Sequence, residues 1–394
     1  MANVYLSAGV RSNLLTMQGI AKDMQTVENR LATGLKVNTA LDDPANYFTS
    51  QGLEMRAADL DNILDDMGQA IQVMKAADSA ITTITNMIET VKAKANQAIQ
   101  SNDGFIRAEF AEQYNELLVQ ISKVAEDAGY NGKNLLEGAG NDLSVYFNED
   151  FTNRIRVDAV DYTDVATAFS LGPLVELTQG SATQALAATT PANESSALIN
   201  TSADFAVGDE FILTGVQSGM TATITIEDDM TVADFVNEVN SAFPNVKMSY
   251  DETTAQFTIN TAESVNFQDR TPPAAAAAWT PANVTPPTVG GVLQVPEWIN
   301  DAEIRTTMNA VREALQSIRA QAGRFGTNLT TIESRQDFAQ QMTNHLEEGS
   351  GKLVLADINE ESANLLTLQT RQQLSQTALS LTTQSEQSVL RLFG

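Results

Sequence analysis

Cysteine is absent from the 394 residues, which excludes disulfides, thiolate metal sites and cysteine nucleophiles. Aromatics are scarce, at 6 % with two tryptophans, and the 43 % of hydrophobic residues is carried mainly by Ala, Leu, Ile, Val and Met. Such side chains suit long helix–helix seams better than a compact aromatic core. Positive charge is scarce too: 23 Lys and Arg stand against 50 Asp and Glu, for a formal net charge of -27. A nucleic-acid binder needs clustered cations to displace counterions from phosphates, and no such cluster is present. The same acid excess disfavours anionic lipid, while it keeps a densely packed protein soluble before assembly. No stretch approaches the roughly 18 to 20 continuous apolar residues of a membrane span. Residues 1–15 lack a basic segment followed by an apolar one, so no cleavable signal peptide is expected, and export must use a route that does not read one.

Catalytic patterns are missing as well. The single histidine, His345, precedes Leu346-Glu347-Glu348 without the second His that a helical zinc-protease motif needs one turn away. It reads as a solvated residue on a helix end. The pairs Asp42-Asp43, Asp65-Asp66, Asp228-Asp229 and Glu360-Glu361 follow no calcium-loop spacing, and neighbours on a helix point apart. They read as caps and solvated faces. There is no phosphate-cradling Gly loop and no serine elbow, so neither a cofactor nor an enzymatic activity is expected.

What the chain does have is heptad spacing at both ends. Val10, Leu14, Met17, Ala21, Met24, Glu28 and Leu31 alternate steps of four and three, with Val27 covering the polar slip. Gly34 fits the left-handed position after a helix. Asp42-Asp43-Pro44 starts the next one, with Asp43 accepting a first-turn N–H and Pro44 where its missing donor costs nothing. Its seam runs through Leu64, Met67, Ile71, Met74, Ala77, Ile81, Ile84, Ile88, Val91, Ala95 and Ala98. A third helix places Phe110, Tyr114, Leu117, Ile121, Val124 and Ala128 at the same spacing.

The period then changes to two. Leu143, Val145 and Phe147, then Ile155, Val157 and Ala159, predict a β-hairpin. From about Glu176 to Pro296 the chain is rich in Thr, Ala, Ser and Pro, and its only cations are Lys247 and Arg270. Strand-like runs at 210–214, 221–226, 247–250 and 256–260 surround a helical pattern at 232–239, whereas 271–291 reads as a linker. The Ser and Thr of this segment could carry O-linked sugars or serve solubility alone. The last third returns to helix: Ile304, Met308, Val311, Leu315, Ile318, Ala322, Phe325, Leu329 and Ile332 predict one reaching about 70 Å if unbroken over 301–348. Gly323 and Gly326 within it suggest the close approach of a neighbour. A final helix is expected from about Leu355, after Gly349-Ser350-Gly351.

Helices this long cannot bury their seams alone, so the two ends should pair as a coiled coil with the middle projecting away. The outermost segments carry weaker stripes and are expected to be disordered in a single copy. Packing on further copies, head to tail without closure, would order them in a helical filament.

The residues Arg30-Leu31-Ala32-Thr33-Gly34-Leu35-Lys36-Val37-Asn38 through Asp42-Asp43 resemble the N-terminal signature of the flagellins. Gln69-Ala70-Ile71-Gln72 with Ala76-Ala77-Asp78, Asn131-Gly132 with Leu135-Leu136, Ile318-Arg319-Ala320, Asn328-Leu329 and Ala356-Asp357-Ile358 are similar to further family blocks. Residues 197–267 are similar to a small β-rich module of some flagellin outer domains. The resemblance implies a mainly α fold: long antiparallel coiled-coil helices from both chain ends with a β-hairpin, plus an inserted α+β outer domain. Residues 1–40 and 355–394 would form the inner core, 41–175 and 297–354 the surrounding coiled coil and hairpin, and 176–296 the variable outer domain. Polymerisation would rest on Leu14, Met17, Met24 and Leu31 with Leu365, Leu368 and Leu379. The coiled coil would use Ile71, Ile81 and Ile88 with Leu315, Ile318 and Leu329, and the turn Gly34, Asp42, Asp43 and Pro44. Leu31→Asp should then abolish polymerisation and leave secretion possible.

The implied role is an extracellular structural subunit of the bacterial flagellum. Its partners would be further copies of itself, the flagellar type III export apparatus, an export chaperone, and the filament cap and junction proteins. Flagellins detected by the animal toll-like receptor carry an Arg, a Leu and a Glu where this chain has Thr90, Lys94 and Gln113, so weak receptor activation is expected. A hook–filament junction protein shares the end pattern and remains an alternative, as does a secreted adhesin whose working part is the middle segment.

Overall fold

The computed structural model describes residues 8–189, 192–270, 283–289, 292–293 and 295–393. Helices α1 (Ala8–Thr33), α2 (Pro44–Gln100) and α3 (Gly104–Glu126) come first, and strands β1 (Leu143–Tyr146) and β2 (Arg154–Val157) then pair. After α4 (Val165–Phe169) come β3 (Gly180–Ala185), β4 (Glu210–Gly215), β5 (Thr221–Thr225), α5 (Val232–Ala242), β6 (Val246–Asp251), β7 (Gln256–Thr261) and β8 (Val265–Arg270). A short pair, β9 (Thr288–Val289) and β10 (Val292–Leu293), precedes α6 (Asp301–Val354) and α7 (Ile358–Phe393). The protein is mainly helical, with antiparallel strands confined to the middle. By packing, the chain falls into two compact units: one draws on the chain up to Gln69, Val145–Ile155 and the chain from Thr331, the other on Ala70–Ser144 and Arg156–Thr330.

Local chemistry fixes the helix ends. Asp43 Oδ1 accepts the N–H groups of Ala45 and Asn46, both at 3.1 Å, and opens α2 with Pro44 in its first turn. Asp103 caps α3 by accepting from Phe105 N at 2.9 Å. Thr231 and Asp234 form a reciprocal capping box on α5. Gly34, at φ 72, ends α1 and donates back to Arg30 O at 2.8 Å.

The first unit joins the two ends of the chain. Leu35 and Leu355 form an isolated antiparallel bridge, and Ala356 N donates to Gly34 O at 2.9 Å. Helices α1 and α7 lie against each other, and α1 buries Val10, Ile20 and Val27. Over Ala8–Thr33 and Ile358–Phe393 the terminal segments are helical, where their weak stripes alone predict disorder in a single copy. The bridge and the Arg30–Glu361 ion pair tie the last turn of α1 to the first turn of α7, which lowers the nucleation cost. The break before the last helix also differs. Gly349 and Gly351 lie inside α6, and Val354, whose carbonyl accepts from Lys36 N at 2.8 Å, ends it. Asp357 then caps α7 through Asn359 N at 2.9 Å.

The second unit contains most of the α2 seam and the inserted module. Leu64 and Met67 belong to the first unit, every predicted α2 seam position from Ile71 to Ala98 belongs to the second, and all of them are buried. Its α3 seam is rotated from the prediction towards Ala111, Tyr114, Leu118, Ile121 and Ala125, which leaves Phe110, Leu117 and Val124 half-buried. In the inserted module β7 pairs antiparallel with β3 and β6, and β4 with β5 and β8. Phe211 and Leu213 of β4, Phe257 and Ile259 of β7, and Phe235 and Val239 of α5 share one core. The linker expected at 271–291 falls mostly outside the described residues.

Among the described residues no neighbour approaches Gly323 or Gly326. A Cβ added at either position meets nothing within 4 Å. Gly326→Ala is thus expected to stabilise the monomer by about 0.5–1 kcal/mol. Gly104→Ala should do the reverse, because its Cβ would lie 2.5 Å from Ile299 Cδ1 and 2.6 Å from Asn245 Oδ1. Overpacking there costs on the order of 1–3 kcal/mol. Urea unfolding of the two variants checks both signs.

Candidate functional site

The outward surface of the paired terminal helices is the feature that the monomer leaves unexplained. On the inner side, α1 turns Val10, Asn13, Met17, Ile20, Met24, Val27 and Leu31 inwards at steps of three and four. Met17, Met24 and Leu31 are half-buried there, as are Leu365, Leu368 and Leu379 on α7. Leu14 departs from this seam and is 40 % exposed. Ile20, which the sequence reading passed over, is buried in its place. The register starting from Val10 in a step of three would have found it, but Asn13 interrupts that stripe.

The outer side of α7 is also apolar. Leu366, Leu374 and Leu381 are 67 %, 65 % and 69 % exposed. At about 100° per residue they fall within an arc of about 80° that faces away from Leu368 and Leu379. Thr370 and Thr377 lie on the same arc, and each hydroxyl donates to the carbonyl four residues back at 2.9 Å. The stripe 366, 370, 374, 377, 381 is therefore a second helical seam, in steps of four and three, whose threonine hydroxyls are already satisfied. A helix that is apolar on two faces is built to be covered on both.

The turn between α1 and α2 anchors this arrangement. Asp42 Oδ2 accepts from Thr39 N at 2.9 Å and Asn38 N at 3.1 Å, and these bonds hold its carboxyl below the usual carboxylate range. Arg30 Nη1 reaches Glu361 Oε1 at 2.9 Å, and Glu361 is buried on the α7 side.

Within the second unit, Ile71, Ile81 and Ile88 on α2 and Leu315 and Ile318 on α6 are buried, and Leu329 is half-buried. Glu89 and Arg319 pair across these helices at 3.1 Å. Thr90 is exposed, its hydroxyl donating to Asn86 O at 3.0 Å. Lys94 Nζ lies 5.8 Å from the centre of the Phe110 ring, and Gln113 is half-buried.

A buried polar joint in the same unit escaped sequence reasoning because its members are far apart in the chain. Glu263 is fully buried and accepts from Ser218 N at 2.8 Å, Gln217 N at 3.0 Å and Asn245 Nδ2 at 2.6 Å. Asn245 Oδ1 in turn accepts from Gly104 N at 2.7 Å, where α3 begins. Beside it the buried guanidinium of Arg107 donates to Ile299 O at 2.8 Å and to Asp301 Oδ1 at 2.6 Å. Trp298 is fully buried with its ring 5.2 Å from that of Tyr114, and burial pushes the Tyr114 hydroxyl well above its usual range. This joint holds structure and presents nothing to a ligand. Among the described residues no group of three or more His, Asp or Glu is placed to hold a metal ion. No described helix is long and apolar enough to cross a membrane.

Comparison with known proteins bears on the same regions. Residues 8–141 match the family model for the bacterial flagellin N-terminal helical region, and residues 308–393 match that for the bacterial flagellin C-terminal helical region. Together these cover more than half of the chain. Flagellin D of Rhizobium meliloti (strain 1021) is 26 % identical over 414 residues, with 100 % of both chains covered. Flagellin A of the same strain is 27 % identical over 412 residues, again with 100 % of both. The flagellin of Bartonella bacilliformis is 21 % identical, with 95 % of each chain covered. The solved structure of FliC from Burkholderia pseudomallei matches 72 % of this chain and 98 % of its own at 13 % identity, with a TM-score of 0.21, too low to bear on the fold.

Proposed function

The chain belongs to the bacterial flagellin family as a structural subunit of the flagellar filament, and we propose that its outward apolar seams are the surfaces by which copies join. The observation that carries this is the second seam of α7, with Leu366, Leu374 and Leu381 in solvent and the threonine hydroxyls between them bonded internally. An exposed stripe of this kind costs solubility in a monomer and gains apolar burial in a polymer. In this reading residues 1–40 and 355–394 line the inner core, 41–175 and 297–354 surround it, and 176–296 project outwards. Leu14, with 40 % of its surface free, contributes to contacts between copies, whereas Met17, Met24, Leu31, Leu365, Leu368 and Leu379 first hold α1 against α7.

The subunit is secreted to the cell exterior through the flagellar type III export apparatus, with an export chaperone on the C-terminal helix and the cap and junction proteins at the filament's ends. The acid excess supports this route, since a chain of net charge -27 resists collapse onto its neighbours before assembly. Thr90, Lys94 and Gln113 predict weak activation of the animal flagellin receptor, which a reporter-cell assay with purified monomer measures.

The test of the functional reading is seeded growth. Purified protein added to sheared filament fragments should elongate them, and a variant lacking 178–290 should do so too. Growth that required residues 178–290 would favour an adhesin-like role for the inserted module.

A further inference from the structure

The turn joining β1 to β2 displays an aromatic ring at a cost that the monomer does not recover. Phe151 adopts φ 55, in the left-handed region that bulky residues avoid. Its N–H donates to Asn148 O at 3.1 Å, and Asn148 Oδ1 accepts from Asn153 N at 3.0 Å, so the turn is closed on itself. The ring meets the edge of Tyr146, at 5.3 Å, and 63 % of the residue stays exposed. The turn is also pinned on both sides. Glu149 pairs with Arg56 of α2 at 2.5 Å, and Arg335 of α6 lies 5.6 Å from the centre of the Phe147 ring. A strained, rigidly held and exposed phenylalanine has the character of an interface anchor whose partner lies on another molecule.

The second unit carries a cleft suited to it. A groove of about 530 Å³ between α3 and the segment around α4 is lined by Leu118, Val119, Val165, Leu171 and Leu174, and Val119 is exposed. Asp164 and Glu176 also line it. Arg154 stacks on Tyr146 at 6.0 Å, so a cation stands beside Phe151. Copies that each carry a net charge of -27 repel one another, and a contact is favoured where one side offers a cation and the other carboxylates.

We propose that Phe151 of one copy seats in this groove of a second copy, with Arg154 facing Asp164 and Glu176. The inference rests on the filament reading and adds one defined contact to it. Knob and groove are different surfaces, so the contact is head-to-tail and propagates.

Phe151→Gly separates this role from a purely structural one. Glycine relieves the left-handed backbone, so the monomer's Tm should stay level or rise, while the critical concentration for seeded growth should rise about tenfold or more. The absence of native cysteine permits a second readout. Phe151→Cys combined with Val119→Cys, or with Leu174→Cys, should give oxidant-dependent covalent ladders in filaments, and the single variants should not. An unchanged critical concentration for Phe151→Gly, or no ladder with either groove cysteine, would overturn the contact and leave the filament reading standing. Failure of the unmodified chain to elongate seeds would overturn both.

Discussion

Leu374→Asp is expected to abolish filament growth while leaving the monomer as stable as before. Leu374 is 65 % exposed, and an exposed substitution of this kind changes monomer stability by about 0.5 kcal/mol at most. In the polymer the same position lies in the outer seam of α7. A carboxylate buried there without a partner costs several kcal/mol, which raises the critical concentration on the order of a thousandfold. Thermal melting of the monomer and sedimentation of seeded reactions read the two effects separately. Leu31→Asp should also abolish growth, for a mixed reason. Leu31 is half-buried on the α1 side, so its loss loosens the pairing of α1 with α7 in the monomer as well.

Arg107→Ala should be the most destabilising single change in the joint where α3 begins. The residue is buried, and its guanidinium donates to Ser101 O at 2.5 Å, Ile299 O at 2.8 Å and Asp301 Oδ1 at 2.6 Å. Truncation leaves the Ile299 carbonyl buried without its charged donor and opens a void beside the Trp298 segment. The expected loss is about 2–4 kcal/mol, most of it from unpaired polar groups. Asp301 is about half exposed and returns to water, which keeps the figure below that of a fully buried pair. Arg107→Lys should recover little of it, because a single ammonium cannot span three acceptors arranged for a planar fork. Urea unfolding gives the number. A loss below about 0.5 kcal/mol would mean that the joint is dispensable.

The helical part of this fold was legible because it rests on local rules. The α2 seam from Leu64 to Ala98 reads directly from spacing, as do the Asp43-Pro44 start and the Gly34 stop. Two departures have a common cause. On α1 and α3 several stripes of similar strength compete, and packing rather than pattern selects Ile20 over Ala21, and Leu118 over Leu117. Strand β3 is illegible for another reason. Gly180–Ala185 has small and polar side chains with little intrinsic strand preference, and its pairing with β7 is what makes it a strand. The joint of Glu263, Asn245, Gly104 and Arg107 spans more than 150 positions of the chain, and no single-sequence pattern signals it.

The exposed hairpin ring was invisible for a similar reason. Asn148-Glu149-Asp150-Phe151 reads as an ordinary polar turn, and only the backbone conformation shows Phe151 held outwards. The outer seam of α7 could be read, since 366, 370, 374, 377 and 381 recur in steps of four and three. Its meaning depended on knowing which other face α1 already covers.

Amide hydrogen exchange across 8–33 and 358–393, measured on the monomer and again on filaments grown from it, tests the central claim most directly. Helices covered on one face only should exchange readily in the monomer and become strongly protected in the filament, with the largest gain in the turns around Leu366, Leu374 and Leu381. Equal protection in the two states, on material that had demonstrably elongated, would mean that these outward faces are not where the copies meet.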